Sequence, residues 1–160
     1  MKPTNDIWRR LLRGGVVLTV LLLSSPAPAF ADNNHFYLGY CTWYAAEQAH
    51  AEWQTWLPWY GDAGDWAEGA RAAGWQVSAV PRPRSVVAMP RGVQGSGPFG
   101  HVAWVLEVSQ DGSSVVVRSM GWNGLWALTV HSVQVDGQIM FIAPPEPVTS
   151  SVPGVPAPSS

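Results

Sequence analysis

Three rhythms of apolar and polar positions follow one another along the chain. The first is a mostly apolar run from Val16 to Leu23, preceded by Lys2, Arg9, Arg10 and Arg13 and followed by Ser24, Ser25, Pro26 and the small-residue pattern Ala29-Phe30-Ala31. This order predicts a secretory signal peptide, residues 1–31, cut after Ala31. The run is eight residues long, whereas a spanning helix needs about 20, so no permanent membrane anchor is expected. The second rhythm is helical. Cys41 to Trp53 has no Gly or Pro and is rich in Ala, Glu and Gln, which predicts a helix starting near the cysteine. Asp62 to Gly74 predicts another, with Asp62 as N-cap and Gly74 as the stop, weakened by Gly64 and Gly69 inside it.

The third rhythm is alternation. Short β-branched runs separated by Gly and Pro predict strands at 85–89, 101–108 and 114–120, with weaker ones near 126–135 and 138–142. Helices followed by a meander of strands give an α+β layout with an antiparallel sheet. Along HVAWVLEV, Val102, Trp104, Leu106 and Val108 share one face, while His101, Ala103, Val105 and Glu107 share the other. The second face begins with small groups, so a helix is expected to approach it and bring its N-terminus beside His101. From Pro144 to Ser160 the chain holds six prolines and little that could pack. It is expected to be a disordered tail, leaving 32–143 as a single folded domain.

Charge narrows the partners. Residues 32–160 carry Arg71, Arg82, Arg84, Arg91 and Arg118 against ten acidic groups, and no lysine. That excludes the basic footprint on which nucleic-acid binding depends. Affinity for a surface must then come from shape, hydrogen bonds and aromatic contacts.

One cysteine in an exported chain cannot form an internal disulfide. Cys41 is therefore buried and inert, paired between chains, lipidated, or a reactive thiol. Lipidation asks for a small residue before the cysteine, and Tyr40 stands there. A cysteine opening a helix meets unpaired N–H groups and the positive end of the dipole, which favour a thiolate. A nucleophile also needs a base. Of the four histidines, His35 lies in the N-terminal arm. His50 is too far along the helix to touch the thiol. His131 reads as a solvated surface residue, and His101 opens a strand. Cys41 with His101 is thus the candidate pair.

Taken together, GYCTWYAAEQ (39–48), GDAGDWA (61–67), SVVAM (85–89), GHVAWVLEV (100–108) and MGWNG (120–124) resemble, in order and spacing, the CHAP family of cysteine- and histidine-dependent amidohydrolases and peptidases. The resemblance implies a papain-like α+β fold, with N-terminal helices packed on an antiparallel β-sheet. It also implies a peptidoglycan hydrolase, cutting either the amide between muramic acid and stem peptide or a peptide bond of the stem or cross-bridge. On that reading Cys41 matches the nucleophile and His101 the general base, with a thioacyl intermediate. Such an enzyme is expected to be secreted or held in the cell envelope, and to act as a monomer without metal or cofactor. The stretch DNNHFYLGY before Cys41 lacks the alternating acids of calcium-binding relatives.

The pattern breaks at Arg118-Ser119-Met120-Gly121-Trp122, where relatives usually carry Glu and, two residues on, Asn. Ser119 and Gly121 stand at those positions, which puts the group orienting the imidazole in question. Hairpin register decides what substitutes. A three-residue loop at Gln110-Asp111-Gly112 pairs Ser109 with Ser113 and Ala103 with Ser119, and sets Ser119, with Asn123 as a second candidate, on the histidine's face. A two-residue Asp111-Gly112 turn points Ser119 away. The first register is preferred because the resemblance needs that face. A hydroxyl or carboxamide fixes a ring tautomer but does not stabilise an imidazolium as a carboxylate does. The expectation is therefore a slower or pH-shifted enzyme. The rival is a wall-binding pseudoenzyme. Arg84 stands where relatives usually have Gly.

Nine tryptophans follow residue 31. Core packing is their ordinary role, but the loop TWLPWY, with Trp56 and Trp59, is expected to rim the substrate groove and stack on sugar or peptide.

Overall fold

The computed structural model describes residues 33–145. The expected signal peptide and nearly all of the expected tail lie outside them. Among the described residues no helix is long and apolar enough to cross a membrane.

Helix α1 runs over Cys41–Trp53. Its inner face is small, with Ala45, Ala46 and Ala49 buried beside Tyr44, so its axis can lie close to the sheet. It ends where Gln54 turns left-handed, its N–H donating to the His50 carbonyl at 2.9 Å. The stretch expected as one helix from Asp62 is two pieces: a 3-10 turn at Ala63–Asp65 and α2 at Trp66–Ala72. Gly74 (φ +77°) does stop it.

Six strands form one antiparallel sheet: β1 (Gln76–Ser78), β2 (Val86–Met89), β3 (His101–Val108), β4 (Ser114–Gly121), β5 (Gly124–Gln134) and β6 (Met140–Ala143), in the order β1-β6-β2-β3-β4-β5. The expected meander holds only from β2 to β5. Strand β6 returns across the sheet to lie between β1 and β2, and β1 was not foreseen. Arg84, just before β2, sits at φ +59°, where a residue without Cβ is unstrained. Its N–H bonds to the Val105 carbonyl at 2.9 Å and its guanidinium pairs with Glu52 at 2.9 Å.

Two cores lie on the two faces of the sheet. On one, α1 and α2 cover Val86, Ala88, Val102, Trp104, Met120 and Ile142. On the other, Val87, Met89, Ala103, Val105, Val115, Val117, Val133, Ile139 and Phe141 pack together with no helical residue among them. The sheet therefore curls and fills this face with side chains of its own strands, from β2 to β6. Each fully buried side chain of this size contributes about 1.5–3 kcal/mol. This corrects the expected placement of the first helix: it lies on the Val102 and Trp104 face, and His101 belongs to the curled face behind.

Candidate active site

Cys41 is the first residue of α1, behind an extended Tyr40 that offers no side-chain cap to the first turn. Gly39 makes the preceding bend at φ +98°, and a Cβ there would stand 2.9 Å from the Trp126 ring. Gly121, at the end of β4 with φ +82°, brings that strand up to the same bend: its virtual Cβ lies 3.7 Å from the Cys41 nitrogen. His101 opens β3. The residue before it, Gly100 (φ +75°), is seated against backbone, since a Cβ would lie 2.4 Å from the Gly64 nitrogen, 2.5 Å from its Cα and 2.8 Å from the Met89 oxygen. The Gly64 N–H donates to the Phe99 carbonyl at 2.8 Å. Arg91 fastens this 3-10 turn from outside, with two 2.7 Å bonds to the Asp65 carboxylate. The GDAGD and GH segments are thus two sides of one backbone contact that aims His101.

Although α1 and the imidazole start from opposite faces, they meet at the end of the sheet. Cys41 and His101 line one cleft of about 320 Å³, together with Tyr40, Phe99, Gly121 and Trp122. A second cleft of about 220 Å³ adjoins it and shares Tyr40, Cys41, Phe99 and Gly100. Cys41 therefore borders open space in both clefts.

Burial governs the electrostatics. It pushes the Cys41 thiol above its ordinary range, outweighing the backbone groups of Val102, Thr42 and Cys41 itself that pull it down. Desolvation also lowers His101 to about 4, with a smaller contribution from His131. Both shifts favour the uncharged forms, thiol and neutral imidazole, and so oppose the thiolate that the helix terminus favours. His101 is 5% exposed, and its buried Nε2 has no hydrogen-bond partner. Nδ1 is thus the ring nitrogen available to the cleft.

A CHAP domain model matches residues 31–121, more than half of the chain. The chain belongs to the CHAP family. This CHAP domain is 36% identical over 86 residues to a Streptococcus mutans protein named as a hydrolase, covering 54% of this chain and 36% of that one. It is 32% identical over 90 residues to a Staphylococcus aureus protein named as an autolysin, covering 56% and 32%. The crystal structure of an N-acetylmuramoyl-L-alanine amidase from Staphylococcus aureus superposes with a TM-score of 0.60 at 27% identity, over 66% of this chain and 31% of that chain. The chain therefore spans about a third of the length of these relatives.

The remaining candidates separate. Ser119 is fully buried with an unpartnered hydroxyl. Pairing of Trp104 with Arg118, carried onward, sets Ala103 opposite Ser119 and His101 opposite Gly121. That is the preferred register, reached differently: the Ser109 N–H bonds to the Ser114 carbonyl, which makes the loop one residue longer, and a bulge between Val105 and Glu107 restores the alignment. Asn123 is exposed in the β4–β5 turn, with no bond to His101. Trp59 is corrected outright. It is buried at 5%, edge-on to Trp66 and Trp75, with its Cβ against Gly69, so it belongs to the core. Trp56 stacks on His50 at 3.9 Å and lines a separate cleft with Pro144 and Pro145. The aromatic rim of the CHAP groove is instead Tyr40 (53% exposed) and Phe99 (64% exposed). Their signal in the sequence was proximity, one residue before Cys41 and two before His101.

Proposed function

We propose that this chain is an exported cysteine hydrolase of peptidoglycan, an amidase or endopeptidase, with Cys41 as nucleophile and His101 as general base. The observation that carries the reading is that Cys41 and His101 line one cleft, with a second cleft also bordered by Cys41. The family and the hydrolase, autolysin and amidase names of its relatives support the substrate class.

Because both shifts favour the neutral groups, the proton moves only as the reaction proceeds. His101 Nδ1 accepts the thiol proton while Cys41 Sγ attacks the amide carbonyl. The uncapped N–H groups of the first turn of α1 stabilise the developing oxyanion. Collapse expels the amine, which takes the proton from His101, and leaves a thioacyl enzyme. Water activated by the same imidazole then releases the acid. Tyr40 and Phe99 flank the scissile bond and stack on sugar or peptide.

The test is digestion of purified sacculi by the full chain, with the new ends identified by mass. Stem peptides freed from muramic acid define an amidase, and new peptide termini define an endopeptidase. Absence of any new end overturns the reading in favour of a wall-binding pseudoenzyme. That second reading is favoured by one feature: no carboxylate among the described residues is bonded to His101.

A further inference from the structure

Two clefts meet at Cys41, and their linings differ in charge. The larger, about 320 Å³, is lined by His101 with Met120, Trp122 and several glycines, and no carboxylate borders it. The smaller, about 220 Å³, adds Thr42, Gly61, Asp62 and Ala63 to the residues that the two share, and Asp62 is its one acidic residue. That carboxylate is largely uncommitted. Although Asp62 precedes the 3-10 turn, its side chain makes no capping bond. Arg91 meets Asp65 through two 2.7 Å bonds, one to each carboxylate oxygen, and reaches a single oxygen of Asp62 at 3.5 Å. One guanidinium against two carboxylates leaves one negative charge uncompensated. The Asp62 side chain is 49% exposed, so a ligand can reach it.

The reaction assigns the two clefts to different halves of the substrate. His101 hands its proton to the departing amine, so the amine half lies in the cleft that His101 lines. The acyl half, bonded to the Cys41 sulfur, then lies in the cleft that Asp62 lines. We propose that Asp62 is the specificity-determining residue of an acyl-side subsite that takes a cationic group, the free side-chain amine of a diamino acid in the stem peptide. The inference rests on the Cys41–His101 reading above and narrows it. The lactyl carbonyl of muramic acid brings no cation to Asp62, whereas a peptide carbonyl at or beside a diamino acid brings one. The subsite therefore favours cutting a peptide bond whose acyl half carries the amine over cutting the muramoyl amide.

The rest of the lining suits such a group. Tyr40 and Phe99 border the same cleft and offer apolar surface for the methylenes, as long cationic side chains lay their stems on apolar walls and keep the head in water. Asp65 lines neither cleft. It acts from behind, holding Arg91 away from full neutralisation of Asp62. A half-exposed ion pair contributes modestly, so the selection is a preference of several-fold between substrates and not an absolute requirement.

The test is digestion by the full chain of two preparations of purified sacculi, one with its amines free and one with them acetylated, with initial rates measured at limiting substrate and new ends identified by mass. Wild type is expected to leave the amine on the fragment that gains the new carboxylate, and to digest the free-amine preparation about fivefold faster. Asp62→Asn digests both at one rate, and Asp62→Glu, which keeps the charge, keeps the preference. Because the ratio is taken within each protein, a general loss of activity or of folded protein cancels. Equal wild-type rates on the two preparations, or a preference that survives Asp62→Asn, overturns the proposal. Cleavage confined to the muramoyl amide also overturns it while upholding the Cys41 hydrolase. If wild type releases no new end from either preparation, the Cys41–His101 reading fails and the proposal with it.

Discussion

Replacing Gly100 by Ala tests whether the seat of His101 is set by backbone contact. The added Cβ would meet the nitrogen and Cα of Gly64 at 2.4 and 2.5 Å and the Met89 carbonyl at 2.8 Å. None of these is a side chain that can swing away. Holding φ at +75° costs a residue with a Cβ about 1–2 kcal/mol. Separating Gly64 from Phe99 forfeits a backbone hydrogen bond worth about 1 kcal/mol, and displacing packed backbone adds about 1–3 kcal/mol. A loss of about 3–6 kcal/mol follows, or roughly 12–25 °C in Tm for a domain of this size. Thermal and urea unfolding by circular dichroism measure it. Gly97→Ala is the control, because nothing lies within 4 Å of its virtual Cβ, and it should change stability by less than about 0.5 kcal/mol. Digestion of sacculi, assayed below both melting points, should fall at least about tenfold in Gly100→Ala, since a displacement near 1 Å at a catalytic group can cost more than that. A Gly100→Ala protein melting within about 3 °C of wild type refutes the reasoning, since a clash of this kind permits no such shift.

Three further outcomes follow from the same geometry. His101 is depressed from 6.5 to about 4, so the unfolded chain binds a proton that the folded chain refuses. Stability is complete above about pH 6.5 and falls by about 3 kcal/mol as pH drops toward 4; His101→Gln should flatten this part of the curve, and an unchanged curve contradicts the burial argument. The acids Asp65, Asp111 and Asp136, held below their ordinary range by their hydrogen bonds, act only at lower pH. Trp59→Ala should cost about 3–5 kcal/mol, whereas Trp56→Ala, half-buried on His50, should cost no more than about 1.5 kcal/mol and leave digestion unchanged; urea unfolding separates them. Phe99→Ala, placed in an inactive Cys41→Ala background, should leave Tm unchanged and weaken sedimentation with sacculi severalfold, and equal binding would remove Phe99 from the rim.

What was legible in the sequence was local. The unbroken Cys41–Trp53 stretch announced its helix, and alternation placed β2 to β5 within a few residues. The candidate pair was legible because a helix-opening cysteine and a strand-opening histidine each carry a chemical reason for their place. Which face of β3 the helix covers was not legible. Both faces of HVAWVLEV are apolar because the curled sheet buries both, so alternation could not rank them. The hairpin was right at Ser119 despite a wrong loop, since a bulge at Leu106 leaves no mark in composition. His131 was misread for a related reason. A histidine in a polar strand looks solvated until the strand is known to curl over Trp122. Trp59 reads as a loop aromatic because its partner, Gly69, reads as a helix breaker, whereas its missing Cβ is what admits the indole.

The central claim is that one sulfur and one imidazole together break a bond in the cell wall. Release of soluble fragments from purified sacculi by wild type, Cys41→Ala and His101→Ala tests it most directly, with circular dichroism confirming that all three are folded. Release by wild type, and at least about 100-fold less by each variant, is the predicted result. Release by Cys41→Ala at the wild-type rate would contradict the account.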